Sequence, residues 1–167
     1  MKKNKFISQS FLQVILIVFF TGFGFSVNAQ PGTLDENFGQ KGKVLTSISG
    51  LSFDIQASAL QFDGKIVVVG SAFGGFLIVR YMPDGTIDSS FGNQGNVITD
   101  LNYDSEFGTC VAVTPDNYII VGGYGSNGFV TPKYDILLSK YKPNGNLDST
   151  FGTNGKIIKS FGYQEEI

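Results

Sequence analysis

Apolar positions follow two different rhythms along this chain. Phe11 to Phe20 is an apolar run of ten residues broken only by Gln13. Beyond residue 30 the apolar positions come in short runs separated by Gly, Asp and Asn. That is the rhythm of strands and tight turns, and no segment of useful length there keeps a helical period. The pattern predicts strands over 43–48, 55–62, 65–71 and 76–82, then over 96–101, 108–114, 118–124 and 135–142. Ile66–Val69 and Ile119–Val121 are continuously apolar, which predicts strands buried on both faces. Asp63-Gly64 and Asp116-Asn117 stand between the second and third strands of each group, and these residue types tolerate the positive φ of tight hairpins.

The two groups are copies of one unit. Gly32, Gly85 and Gly145 each open a segment G-x-[LI]-D-x-x-F-G-x-x-G-x-[VI], aligned over thirteen positions without a gap. The opening glycines are 53 and 60 residues apart, and the Asp63 and Asp116 landmarks both lie 31 residues after theirs. All seven extra residues therefore fall after the second landmark, in Tyr124 to Tyr134. The chain holds two copies and the start of a third, which stops at Ile167. Four antiparallel strands in each copy make the unit of a β-propeller, and one such unit needs neighbours to bury its faces. The fold expected is all-β and propeller-like, about two four-stranded blades plus the start of a third, an incomplete ring.

The shared motif reads as the connector between units. Leu34, Ile87 and Leu147, with Phe38, Phe91 and Phe151, are expected to anchor one unit on the next. Asp35, Asp88 and Asp148 are placed to accept hydrogen bonds from N–H groups two or three residues on. Gly39, Gly92 and Gly152 are expected at positive φ. The competing reading is calcium, with Asp84, Asp88, Asn144 and Asp148 as oxygen donors. Calcium takes about six to eight oxygens and each loop offers one or two firm carboxylates, so the turn reading is preferred and no cofactor or metal is assigned. Arg80 and Lys140 occupy equivalent places and read as solvated basic heads on packed stems. Tyr124, Asn127, Phe129 and Tyr134, in the length-variable segment, form the candidate contact loop.

The first thirty residues have the three-part layout of a secretory signal peptide. Lys2, Lys3 and Lys5 precede the apolar run, and Val27-Asn28-Ala29 offers small residues before Gln30. The rival, a membrane anchor, needs about twenty apolar residues, and this run with its flank to Phe25 is marginal. Residues 1–29 are read as leader and 30–167 as repeats. Without the leader, 9 basic and 14 acidic residues remain, a net of −5, which disfavours a nucleic-acid partner. The chain has no His, so no Ser-His-Asp or Cys-His pair and no His-based zinc site is available. The glycine-rich stretches 70–75 and 122–128 precede no predicted helix, which argues against a phosphate cradle. Cys110, the single cysteine, lies in an apolar strand pattern and is expected to be a small buried residue.

The segments Gly32–Gly42, Asp63–Gly70 and Arg80–Gly85, then the same pattern again from Gly85, resemble the delta-60 repeat, a family of bacterial propeller-like tandem repeats. The resemblance implies exported or surface proteins, often with many repeats, and it carries no agreed catalytic residues. A closed ring takes about four to eight blades, so the chain is expected to be a piece of a longer protein. Its expected role is a non-enzymatic binding or scaffolding module, secreted or at the cell surface, with the periplasm as the alternative place. The expected partner is an extracellular protein or glycan, with self-association through open sheet edges as a further route. The alternative function is an extracellular glycan hydrolase or lyase whose site lies in missing blades.

Overall fold

The computed structural model describes residues 32–48, 50, 52–128 and 133–160. The chain divides into two units, Met1–Thr33 and Leu34–Ile167. The leader, Phe129 and residues 161–167 lie outside the described residues. The described residues contain eight strands and no helix, and every strand belongs to the second unit. They are β1 (Phe53–Leu60), β2 (Ile66–Ala72), β3 (Gly75–Tyr81), β4 (Asn96–Thr99), β5 (Ser105–Val113), β6 (Ile119–Asn127), β7 (Lys133–Tyr141) and β8 (Lys156–Lys159). They form two four-stranded antiparallel sheets, in the orders β1-β2-β3-β4 and β5-β6-β7-β8.

Copy and sheet are out of phase. The strand that follows the motif was expected to open its own unit, but β4 pairs with β3 of the preceding copy, Leu77 opposite Ile98 and Phe76 opposite Thr99. β8 likewise closes the second sheet, Leu138 opposite Ile157. The reason lies in the motif turn, which folds back on the strand before it. Asp88 N–H donates to Arg80 O at 3.0 Å, and Arg80 N–H donates to Gly95 O at 3.0 Å. Asp148 and Lys140 repeat the exchange, with Lys140 N–H donating to Gly155 O. The chain is therefore delivered to the free edge of the sheet it has just left. Residues 43–48, expected as a strand, belong to no ladder among the described residues, and Lys43 makes local bridges to Gly39 and Gln40.

Within each sheet the hairpins carry the expected chemistry. Gln61 N–H donates to Lys65 O and Thr114 N–H to Tyr118 O, closing matching turns with Gly64 and Asn117 at φ 83° and 63°. Both first strands bulge at the same place, between Ile55 and Ala57 and between Gly108 and Cys110. The seven-residue excess of the second copy lengthens its second hairpin, since β6 and β7 have nine residues each against seven in β2 and β3. Tyr124 and Tyr134 are consequently strand residues and not loop residues.

The core lies between the sheets. Val67, Val69, Phe76 and Ile78 from the first sheet meet Ile119, Val121, Leu137 and Tyr141 from the second, all fully buried. Phe76 reaches the place where a side chain on Gly123 would stand, its ring 3.0 Å from where a Cβ would lie. The other face of the first sheet is buried through Ala72, Leu77 and Val79, with Ile48, Phe53 and Tyr81 packed on them. β3, whose pattern mixes apolar and polar positions, is thus buried on both faces, whereas the continuously apolar runs Ile66–Val69 and Ile119–Val121, expected to be buried on both faces, keep Ile66, Val68 and Ile120 half-buried.

Candidate functional site

The motif aspartates end in two different environments. Asp88 is buried, and its Oδ1 accepts from the Ser90 N–H at 3.1 Å and from the Ser90 hydroxyl. Its Oδ2 meets Arg80 Nε at 2.9 Å and Lys65 Nζ at 3.0 Å. Asp148 repeats this with the Thr150 N–H and hydroxyl on Oδ1 and Lys140 Nζ at 3.0 Å on Oδ2. Burial would raise the Asp88 carboxyl, but the Ser90 hydroxyl, Lys65, the Ser90 N–H and the Arg80 charge together hold it well below the usual carboxylate range. The Thr150 hydroxyl and Lys140 hold Asp148 low as well. Asp35 accepts from the Asn37 N–H and side-chain amide and remains exposed.

Arg80 is not the solvated head that its position in a mixed strand suggested. It is 3% exposed, lies 4.3 Å over the Phe91 ring, and donates through Nη1 to the carbonyl of Pro143 in the next copy. The reason is the turn, which brings Asp88 back beside β3 and gives the guanidinium a carboxylate and a ring to desolvate against. The second copy keeps the arrangement with different parts. Lys140 replaces Arg80, and Tyr118 stands where Lys65 does, its ring 4.6 Å from Lys140 Nζ. One cation and its carboxylate are retained, and an aromatic face takes the place of the second cation.

The phenylalanines and glycines clasp neighbouring copies. Phe91 is fully buried, while Phe38 and Phe151 are half-buried. Gly39 N–H donates to Asp84 O at 2.8 Å, and Gly92 N–H donates to Asn144 O at 3.0 Å. Gly39, Gly92 and Gly152 have φ of 58°, 54° and 55°. Leu34 and Ile87 do not anchor the sheets on one another; they are 56% and 43% exposed. They lie on the closing glycines of their own motifs, Gly42 and Gly95, where a side chain would collide with them. Leu147 is half-buried and packs on the core.

The calcium reading gains no ligand set here. Asp84 Oδ1 accepts from the Thr86 N–H and hydroxyl, and Asn144 Oδ1 from the Asn146 N–H. Among the described residues no group of three or more His, Cys, Asp or Glu gathers.

A second feature is the outer face of the second sheet. Phe107, Tyr124 and Ile136 are cross-strand neighbours in one row. Phe107 stacks on Tyr124 at 4.9 Å, and Tyr134 meets Tyr124 edge-on at 5.6 Å. Two of the candidate contact residues, Tyr124 and Tyr134, are thus brought together. Asn127 is drawn away, its Oδ1 accepting from the Asp104 N–H at 3.1 Å. Phe107 was missed because the predicted strand began at Gly108, although Ser105–Phe107 continues the same run. Cys110 lies on this open face and is exposed, not buried. The bulge beside it and the lack of a covering layer account for the difference.

Glu106 closes the loop that leads to this face. It is 1% exposed, and Oε1 accepts from the Leu101 N–H at 2.6 Å and the Tyr103 N–H at 3.2 Å. Its Oε2 has no hydrogen-bond partner among the described residues. Burial pushes its carboxyl up, against the two N–H groups that lower it. A raised carboxyl holds a proton in the folded state that the unfolded chain has released. Its contribution is therefore full below the ordinary glutamate value of about 4.3 and declines as pH rises through the displaced value. In Glu106→Gln this decline should vanish. Urea unfolding at pH 5 and pH 8 should show a smaller loss of stability with rising pH in the variant, and equal losses in both proteins would refute the assignment. The motif aspartates act below about pH 3.9, outside that window.

Residues 61–91 and 114–151 match the model of a family described as "Domain of unknown function (DUF5122) beta-propeller". No curated protein and no solved structure matches the chain. The chain is similar to that family over the two matched stretches, and its sheets have the four-stranded antiparallel form of propeller blades.

Proposed function

We propose that this β-propeller-type chain is an exported, non-enzymatic binding or scaffolding module of the delta-60 repeat kind, and that the outer face of its second sheet is the contact surface. One observation carries the reading. Positions buried by the second sheet in the first copy are open in the second copy. Phe76 is fully buried and its counterpart Ile136 is 47% exposed; Val97 packs on the core and its counterpart Ile157 is 38% exposed. Where the first copy has Ser71 the second has Tyr124, 38% exposed and stacked with Phe107. Contiguous exposed apolar surface of this kind marks contact sites, and rigid aromatic side chains are common energetic anchors in them.

The apolar row extends beyond the rings to Ile136 and Ile157, which favours an extracellular protein over a glycan as the partner. Export is supported by the leader layout in the sequence. A non-catalytic role is supported by the absence of His from the chain and by the engagement of Asp88 and Asp148 in ion pairs.

The test is binding of the full chain to arrays of extracellular proteins and glycans. Tyr124→Ala should weaken capture about tenfold or more, the scale of an aromatic anchor, while leaving the unfolding midpoint nearly unchanged. Capture by Tyr124→Ala and by Ile136→Ser at wild-type strength would contradict the assignment.

A further inference from the structure

A cleft recurs at one place in the repeat. The first example, of about 580 Å³, is lined by Gly39, Gln40, Val44 and Leu45 of the first motif and by Gly85 and Thr86 of the second. The next, of about 400 Å³, is lined by Gly92, Asn93, Val97 and Ile98 of the second motif and by Gly145 and Asn146 of the third. These are the same six positions, one copy on. A third cleft, of about 650 Å³, keeps Gly152, Thr153, Ile157 and Ile158. Volumes of this size are those of ligand sites. Each motif borders two clefts. The second motif closes the first cleft with Gly85 and Thr86 and opens the next with Gly92 and Asn93.

The polar groups facing the clefts are not spent on the turns. Asp84 Oδ1 accepts from the Thr86 N–H and hydroxyl, and Asn144 Oδ1 from the Asn146 N–H. The turns beneath the clefts close through the main chain, Gln40 N–H on Lys43 O at 2.7 Å and Asn93 N–H on Asn96 O at 2.8 Å. Their positive φ falls on Lys41 and Gly42, and on Gln94 and Gly95. Neither turn uses the side chain of residue 40 or 93. Asn93 and Asn146 are exposed, and their side-chain amides have no hydrogen-bond partner among the described residues. The middle cleft contains no ionisable side chain, and beside its amides Ile98 is 39% exposed.

We infer that the clefts between successive motifs are a row of subsites for a neutral polysaccharide. Asn93 and Asn146 supply the hydrogen bonds to hydroxyls, and Val97 and Ile98 meet the C–H side of the sugar. An anionic ligand would find no cation in the middle cleft to pair with. A wholly apolar one would cover the two amides without giving them partners. A cleft that repeats with the copy suits a ligand whose own units repeat, because linked units engage adjoining clefts at high effective concentration. The row shares no residue with the Phe107–Tyr124 face and stands independently of the partner proposed for it.

The experiment titrates the full chain, isotopically labelled, with dimers and hexamers of the laminari-, cello- and malto-oligosaccharide series. The side-chain amide signals of Asn93 and Asn146 should shift with at least one series. The hexamer should bind about tenfold or more tightly than the dimer, through adjoining clefts. Asn93→Ala combined with Asn146→Ala should weaken binding about tenfold, the worth of one to two net hydrogen bonds. Both positions are exposed, so the unfolding midpoint should stay nearly unchanged. Tyr124→Ala should leave binding intact. No shift with any series, shifts confined to the Phe107–Tyr124 face, or equal binding of anionic oligogalacturonate would each overturn the assignment. An extended Ser-Ala peptide that shifts the same amides as strongly would overturn it too, and would make a peptide the occupant.

Discussion

Gly145→Ala should destabilise the protein by about 3 kcal/mol, from backbone strain together with overpacking. Gly145 has φ 92°, and a Cβ there would stand 2.9 Å from Gly92 N, 3.0 Å from Val97 and 3.1 Å from Phe91. Two of those neighbours are the Phe-Gly pair of the preceding copy, so the methyl group would wedge the clasp open. Gly92 N–H also donates to Asn144 O, and separating the two would leave that donor without its acceptor. Gly85 has the same surroundings, with φ 86° and neighbours at Gly39 and Phe38. Gly32 stands at the same motif position, yet a Cβ there meets nothing within 4 Å. Gly32→Ala should therefore change stability by less than about 0.5 kcal/mol. Urea midpoints with unchanged slopes would measure the contrast. Equal effects at 32 and 145 would show that the glycine serves its own turn and not the copy before it.

Arg80→Ala should cost about 3 kcal/mol, the low end for breaking a buried ion pair, because Lys65 remains beside Asp88. The substitution also removes the guanidinium from the Phe91 ring and from the Pro143 carbonyl. Arg80→Lys should cost only about 1 kcal/mol, roughly one net hydrogen bond, since Lys140 already performs the pairing in the second copy. The pH dependence has a definite sign. Asp88 is held low in the folded state, so its stabilisation is present above the ordinary aspartate value of about 3.9 and is lost as pH falls through the lowered one. Asp88→Asn should flatten that acid limb. Unfolding followed between pH 2 and pH 5 decides it; a variant with the wild-type acid limb would contradict the pairing.

The strands were legible because short apolar runs bounded by Asp, Asn and Gly leave few other readings. The matching turns at Gly64 and Asn117, and the aspartates that accept from the N–H two residues on, follow from residue chemistry that acts locally. The phase of the sheets was not legible. Residues 96–101 have the pattern of a strand in either assignment, and only the backbone exchange between Arg80, Asp88 and Gly95 directs them to β3. Arg80 escaped for a related reason. Hydrophobic alternation describes one strand at a time, while the partners of Arg80 come from a turn eight residues on and from the next copy. At the candidate site, Tyr124 and Tyr134 were legible as aromatic residues in the variable segment. The stacking of Tyr124 on Phe107 and the edge-on contact of Tyr134 with Tyr124 depend on cross-strand register, which a single strand does not encode.

The central claim is that the strand opening each copy completes the sheet of the copy before it. Interstrand nuclear Overhauser contacts test this directly. They should connect β3 with β4, at Leu77–Ile98 and Phe76–Thr99, and β7 with β8, at Leu138–Ile157. Contacts joining residues 43–48 to β1 and residues 96–99 to β5, with none between β3 and β4, would put each copy in a sheet of its own and contradict the account.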